Sequence, residues 1–405
     1  MTPLIRSCAS SPHRIAVERV DLTAFRNYAS LRLALAEPGR PVVLSGPNGA
    51  GKTNLLEALS YLAPGRGLRG ARLADVACRG AAAPWAVAGV VQCADGAHRI
   101  GTGLSEGLDD PSEDEDEATE NGAAPSRRVV MLDGLKLKGS SALAASVSVL
   151  WLTPRMDRLF QDGPSERRRF FDQLTAGLFP EHAAELAAYE KLMRQRLKVL
   201  TGSAPVDPAW CAALEGRMAA HGVAVAARRR EMLDLLVAHL PFARKGAFPL
   251  PKLRLHGTLE TLLESRSALE AEEAFAALLE RQREADRALG RTLEGPHRSD
   301  LEARHPGKDL PAGHCSSGEQ KAMLIGVVLA GVRLQRALKG RAPLLLLDEI
   351  AAHLDDARRA VLFDELVALG AQAWMTGTAK HLFAPLKGAA THFTVAASAV
   401  APDPL

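Results

Sequence analysis

Cysteine is scarce in this chain: five residues in 405, at positions 8, 78, 93, 211 and 315, an odd number with no CxxC pair. That excludes a disulfide framework and a structural zinc and predicts reduced thiols. Long hydrophobic runs are missing as well. The most apolar stretch, Leu344-Leu345-Leu346-Leu347, is far too short to span a bilayer, and residues 1–13 hold no apolar h-region. The expectation is a soluble, cytoplasmic protein without a membrane partner. Residues 106–120 (EGLDDPSEDEDEATE) lack Lys, Arg and aromatics while carrying nine of the 47 acids. A like-charged segment of this kind cannot bury enough surface to order itself, so 106–122 is expected to be a disordered loop between two strands. Its role is that of a solvated insertion or, alternatively, of a nucleic-acid mimic restraining a basic surface.

What is present is apolar and basic. With 47% hydrophobic residues, the chain can bury one large core or two ordinary ones, and its length suggests two or three domains. The net charge of +3 hides an asymmetry, because outside the acidic segment 50 basic residues face only 38 acids. Arg167-Arg168-Arg169 and Arg228-Arg229-Arg230 stand out. Guanidinium groups suit phosphate contacts, but solvated helix faces explain such clusters equally well.

Alternating stretches at 15–20 and 31–35 and the apolar Val42-Val43-Leu44 predict an N-terminal sheet. Strand-like pieces follow at 85–91, 98–103, 127–132 and 147–152. From Gly163 the pattern turns helical, through 181–201, 211–239 and 258–292, with breakers at 202–208 and 241–251. Strict heptads are not sustained, so this is a compact helical insertion, not a long coiled coil. Past 295 the chain is mixed again, with helices at 316–338 and 356–369 and strands at 343–348 and 371–376.

The stretch Gly46-Pro47-Asn48-Gly49-Ala50-Gly51-Lys52-Thr53 matches GxxxxGKT between an apolar strand and a helix, the context a P-loop needs. Backbone N–H groups and the helix N-terminus there converge on one spot suited to nucleotide phosphates, with Lys52 reaching the β/γ-phosphates and the Thr53 hydroxyl binding Mg²⁺. The four leucines run into Asp348-Glu349, as a strand buried on both faces would at its C-terminal edge. Asp348 can hold Mg²⁺ and Glu349 can take a proton from attacking water, so Lys52, Asp348 and Glu349 are the candidate catalytic residues. A third piece, Ser316 to Lys321 (SSGEQK), opens a helix. Ser316 and Gly318 there offer a hydroxyl and free N–H groups to an anion, although Glu319 makes a plain capping box possible too. The order of these motifs, closed by Asp355, is the layout of an ABC-type ATPase head. In that class the signature helix completes the site of a second molecule, which predicts a head-to-tail pair enclosing two ATPs.

Lys52 and Asp348 lie almost 300 positions apart, which points to the SMC-like branch of that class. Within it, the chain resembles the RecF family over nearly its whole length, through Leu22–Tyr28 (LTAFRNY), the P-loop with Asn54 and Glu57, 152–172 (LTPRMDRLFQDGPSERRRFFD), 295–301 (GPHRSDL), 316–321 and 347–355. The resemblance implies an α/β fold: an ABC-type lobe formed by 1–152 and 295–405, with an all-helical lobe at 153–294. It implies a slow, DNA-stimulated ATPase using ATP and Mg²⁺, which dimerises with ATP on single- or double-stranded DNA at gaps or junctions. It further implies work with RecO and RecR in loading RecA and support of SOS induction. A nucleotide-gated scaffold needing little turnover is the alternative. By position, Gly46 to Thr53, Ser316, Gly318 and Asp355 would contact nucleotide, and Arg26 and Asn27 of the FRNY-like motif would lie near it. The chain departs from the family at Arg155-Met156, where an acidic residue is usual, and in its acidic insertion. The switch position reads Thr376-Gly377-Thr378, with His381 expected on the surface.

Overall fold

The computed structural model describes residues 14–78, 80–81, 83–93, 95–105, 127–203, 205–239, 247–352 and 354–403. The expected disordered loop at 106–122 lies outside them. In chain order the elements are β1 (Ala16–Phe25), β2 (Tyr28–Ala34), β3 (Val42–Ser45), α1 (Lys52–Ser60), β4 (Ala86–Cys93), β5 (Gly96–Ser105), β6 (Arg127–Leu132), β7 (Leu135–Lys136) and β8 (Val149–Leu152). Helices α2 (Pro164–Leu178), α3 (Glu181–Thr201) and α4 (Pro208–His239) follow, then β9 (Lys252–His256), α5 (Thr258–Ser265), α6 (Ala268–Arg281) and α7 (Arg283–Leu289). The chain closes with β10 (Asp300–Arg304), α8 (Ser317–Lys339), β11 (Leu344–Leu347), α9 (Asp356–Leu369), β12 (Ala373–Gly377), β13 (Thr391–Ala396) and β14 (Ala399–Pro402).

Two units separate by their internal contacts: one of Met1–Trp151, Gln335–Ala352 and Arg359–Leu405, the other of Leu152–Leu334 and His353–Arg358. The first holds a sheet of order β2-β1-β4-β5-β6-β7 and a second of order β14-β13-β3-β12-β11-β8. β3, β11 and β12 are buried at every position, as parallel strands covered on both faces must be. β3 pairs in parallel with β12 on one side and β13 on the other, so the strand from residue 42 lies between strands from beyond residue 370. Gln372 joins the two sheets. Its buried amide accepts from Val17 N–H at 2.8 Å and donates to Val17 C=O at 3.0 Å, imitating a ladder pair, and it also accepts from the Trp374 indole at 3.0 Å.

The second unit packs α3, α4, α5 and α6 around a core that includes Tyr189, Met218, Phe275 and Leu279. The expected helix at 258–292 divides into α5, α6 and α7, with a capping box from Ser267 and Glu270 starting α6. The unit also contains a two-stranded antiparallel ribbon of β9 and β10, so strand accompanies the expected helices. It extends to Leu334, beyond the 294 expected from sequence. The ribbon accounts for the extension as far as Arg304: β10 pairs with β9, and Arg167 on α2 holds Asp300 on β10 at 2.7 and 2.8 Å.

Part of each arginine triplet ties this unit together, while Arg169 and Arg230 stay exposed. Arg229 is buried and donates to both Asp172 oxygens at 2.7 and 2.9 Å and to Pro296 C=O, while Arg168 donates to Ser299 C=O. Arg228 pairs with Glu181 and Glu231, Arg230 donates to Leu263 C=O, and Arg169 lies by Glu166. Their sequence could not distinguish phosphate-facing charge from internal pairing, and the structure pairs them.

Candidate nucleotide site

β3 ends at Ser45 and the chain turns through Gly46 to Gly51 before α1 starts at Lys52. Gly49 and Gly51 have φ of 77° and 115°, conformations that residues with a Cβ rarely take. A Cβ on Gly51 would stand 2.6 Å from Asn27 Nδ2 and 2.7 Å from Tyr28 Oη, so the loop lies directly on the FRNY-like turn. Pro47, Asn48 and Gly49 form its exposed crest. Lys52 is buried and donates to the Gly46 and Pro47 carbonyls at 2.8 and 2.9 Å, with its amine 3.8 Å from Glu349 Oε1.

β11 delivers Asp348 and Glu349 to the same place, since it runs parallel to β12, which runs parallel to β3. Thr53 Oγ1 donates to Asp348 at 2.9 and 3.1 Å across 295 positions of sequence. Thr376, at the end of β12, donates to Asp348 Oδ1 at 2.7 Å and accepts from Glu349 N–H at 2.9 Å. Lys52, Thr53, Asp348 and Glu349 are thus brought together as expected from sequence, and Thr376 joins them. A hydroxyl and a carboxylate in contact form a hard-oxygen pair of the kind Mg²⁺ prefers, beside a lysine and a helix N-terminus suited to phosphate.

The FRNY-like turn braces this loop. Arg26 donates to both oxygens of Glu57 on α1 at 2.9 and 2.6 Å and to Asp75 C=O at 2.7 Å. Burial opposes the Arg26 charge, but the Glu57 carboxylate outweighs it and raises the guanidinium above its usual value. Arg69 supplies a second cation to the fully buried Glu57. Asn27 accepts from Asn54 at 2.6 Å and donates to Ser398 Oγ at 2.7 Å, and Tyr28 Oη donates to Gly51 C=O at 3.1 Å. Ser398 N–H in turn donates to Ala50 C=O at 3.2 Å, and the Gly46 α-carbon faces the Val395 carbonyl. The β13–β14 hairpin therefore seats the P-loop from the far end of the chain. Sequence reasoning missed that hairpin, whose small residues, AASAVAP, carry little strand periodicity.

At the C-terminus of α1, Arg128 donates to the Tyr61 and Ala63 carbonyls at 2.5 and 3.2 Å, and also to Gly65 C=O. A cation there satisfies carbonyls that the helix leaves without partners.

Ser316, Gly318 and Asp355 lie in the second unit. Ser316 and Glu319 form the capping box, with Ser316 N–H and Oγ donating to Glu319 Oε2 at 3.1 and 3.0 Å. Lys308 and the Ser316 groups pull the Glu319 carboxyl down to about 2. Gly318 faces open space apart from Arg358 Nη1, 3.9 Å from where a Cβ would stand. Asp355 Oδ1 accepts from Arg358 N–H at 2.7 Å and starts α9. Lys321 of the same segment pairs with Asp157 at 3.1 Å.

The comparisons with known proteins agree with this geometry. Residues 16–387 match the model of the family described as RecF/RecN/SMC N terminal domain. The curated protein "DNA replication and repair protein RecF" of Rhizobium rhizogenes is 46% identical over 386 residues, 95% of this chain and 98% of its own length. The protein of that name from Mesorhizobium japonicum is 46% identical over 392 residues, covering 96% and 99%. Among solved structures, the recombination mediator protein RecF-ATPrS of the RecFOR pathway superposes with a TM-score of 0.78 at 21% identity, over 97% of this chain and all of that one. An Smc head domain from Pyrococcus furiosus gives 0.50 at 16% identity, over 95% of each chain. A P-loop and an acidic strand end joined across nearly 300 positions, in a fold shared with RecF and Smc heads, leave one assignment: the chain belongs to the RecF family.

Proposed function

We propose that the chain is an ATP-binding, DNA-dependent repair ATPase. The convergence of Lys52, Thr53, Asp348 and Glu349 at one sheet edge carries the reading. ATP with Mg²⁺ supplies the transferable phosphoryl group and its charge clamp. Lys52 leaves the loop carbonyls to face the phosphates, and the Thr53 hydroxyl and Asp348 carboxylate offer oxygens to the metal. Glu349 accepts the proton of the attacking water at its carboxylate. Ser316, Gly318 and Asp355 act across an ATP-closed dimer, and Arg26 and Asn27 act by holding the loop.

The relatives' name, "DNA replication and repair protein", and the RecFOR pathway of the similar structure support DNA as the macromolecular partner and RecO- and RecR-type mediators as associates, with RecA loading and SOS induction downstream. Slow, DNA-stimulated turnover in the cytoplasm fits that role. Among the described residues no helix is long and apolar enough to cross a membrane. The test is ATP binding and hydrolysis by the full chain with and without gapped DNA. Lys52→Met is expected to abolish both, and Glu349→Gln to retain binding while turnover stops. Intact turnover in Lys52→Met would overturn the site assignment.

A further inference from the structure

The Thr376 hydroxyl has no part in the hydrolysis proposed above, yet it touches both acids of the site. Thr376 is fully buried in β12. Its single proton goes to Asp348 Oδ1 at 2.7 Å, and its oxygen accepts Glu349 N–H at 2.9 Å. One hydroxyl thereby fixes the side chain of the first acid and the main chain of the second. Its proton is committed and the side chain is fully buried, so any role it has is exerted through its neighbours.

Two features make the double bond consequential. Glu349 has φ of 50°, in the left-handed region that residues with a Cβ seldom adopt, just past the last residue of β11. Its main-chain N–H is tied to Thr376 in that conformation, which places the Glu349 carboxylate 3.8 Å from the Lys52 amine. Asp348 is gripped from two sides, by Thr53 and by Thr376. If the Thr53 hydroxyl is given to Mg²⁺, Thr376 is the one of the two that stays on the carboxylate.

We propose that Thr376 is a positioning residue for hydrolysis: its hydroxyl holds Asp348 in rotamer and Glu349 in its left-handed turn, so that base and metal-binding oxygens face the loop together. This rests on the ATPase reading above. The test compares Thr376→Val, which keeps the shape and removes both bonds, with Thr376→Ser, which keeps the hydroxyl, and with Thr376→Ala should the valine variant fail to fold. ATP affinity without Mg²⁺ and single-turnover hydrolysis with Mg²⁺ are measured in the full chain, with thermal midpoints as the fold control.

Thr376→Val is expected to hydrolyse about 10- to 100-fold more slowly with its ATP affinity unchanged, and Thr376→Ser to recover the rate. An unaltered rate in folded Thr376→Val or Thr376→Ala would overturn the proposal, as would a loss shared equally by Thr376→Ser or a parallel loss of affinity. A native chain that neither binds nor hydrolyses ATP would remove the proposed function and this inference with it, whereas a hydrolysing native chain indifferent to Thr376 removes this inference alone.

Discussion

Two single positions carry stability that can be measured directly. A Cβ on Gly46 would stand 2.0 Å from the Val395 carbonyl oxygen, which belongs to a strand paired on both sides and has nowhere to go. Gly46→Ala is expected to cost about 1–3 kcal/mol, seen as a lower urea midpoint, with ATP affinity falling in parallel. Asp172 tests the buried pairing. Burial pushes its carboxyl up, but Arg229, helped by His182, overcomes this and holds it at about 2. Against an unfolded value of about 3.9, the folded pKa is depressed, so its contribution is complete above about pH 4 and disappears as pH falls through about 2. Asp172→Asn leaves Arg229 buried without its carboxylate and is expected to lose about 3–5 kcal/mol at neutral pH. The gap between the two proteins should narrow by about 2 kcal/mol between pH 4 and pH 2; a constant gap would refute the pairing as the source.

At the scale of elements, α1 is held at its middle and at its C-terminus. Arg26 and Arg69 grip Glu57 in its middle turn, and Arg128 closes its C-terminus. Glu57 is fully buried, so removing Arg26 leaves it with Arg69 as the cation beside it. A double-mutant cycle of Arg26→Ala and Glu57→Ala should therefore give a coupling of about 1–3 kcal/mol; additive effects would mean that the bidentate contact contributes little. The elements themselves were largely legible. Runs such as Val42-Val43-Leu44 and Leu344–Leu347 announce strands buried on both faces, and the turn chemistry of the P-loop fixes what lies between strand and helix. Three things were not legible. The turn and second strand of the β13–β14 hairpin are built of small residues whose packing, not their pattern, makes them strand. Glu57 and Thr376 matter through partners dozens of positions away, which spacing along a chain does not encode. The arginine triplets looked alike in sequence whether they face phosphate or Asp172 and Asp300.

For the whole molecule, that last point changes where DNA affinity should be sought. Arg167 and Arg229 are committed to carboxylates inside the second unit. Arg167→Ala and Arg229→Ala are expected to lower unfolding midpoints while leaving the salt dependence of DNA binding as it was. The native chain should lose DNA affinity steeply with salt, roughly a thousandfold between 50 and 200 mM if about six phosphates are contacted. A flat salt profile would count against a phosphate-reading surface. Sedimentation with ATP and gapped DNA should show a dimer that Lys52→Met does not form.

The place of β3 between β12 and β13 has a further consequence, for synthesis. The P-loop strand leaves the ribosome early, but the strands on both its sides are encoded some 350 residues later. At about 5–20 residues per second, it must wait roughly 20 to 70 s for them. The antiparallel sheet of β1, β2 and β4 to β7 and the helical unit can each close on residues already made. The nucleotide site is then among the last parts of the protein to exist, and a ribosome-bound chain stalled before residue 390 should have both units' local structure and no capacity to hold ATP.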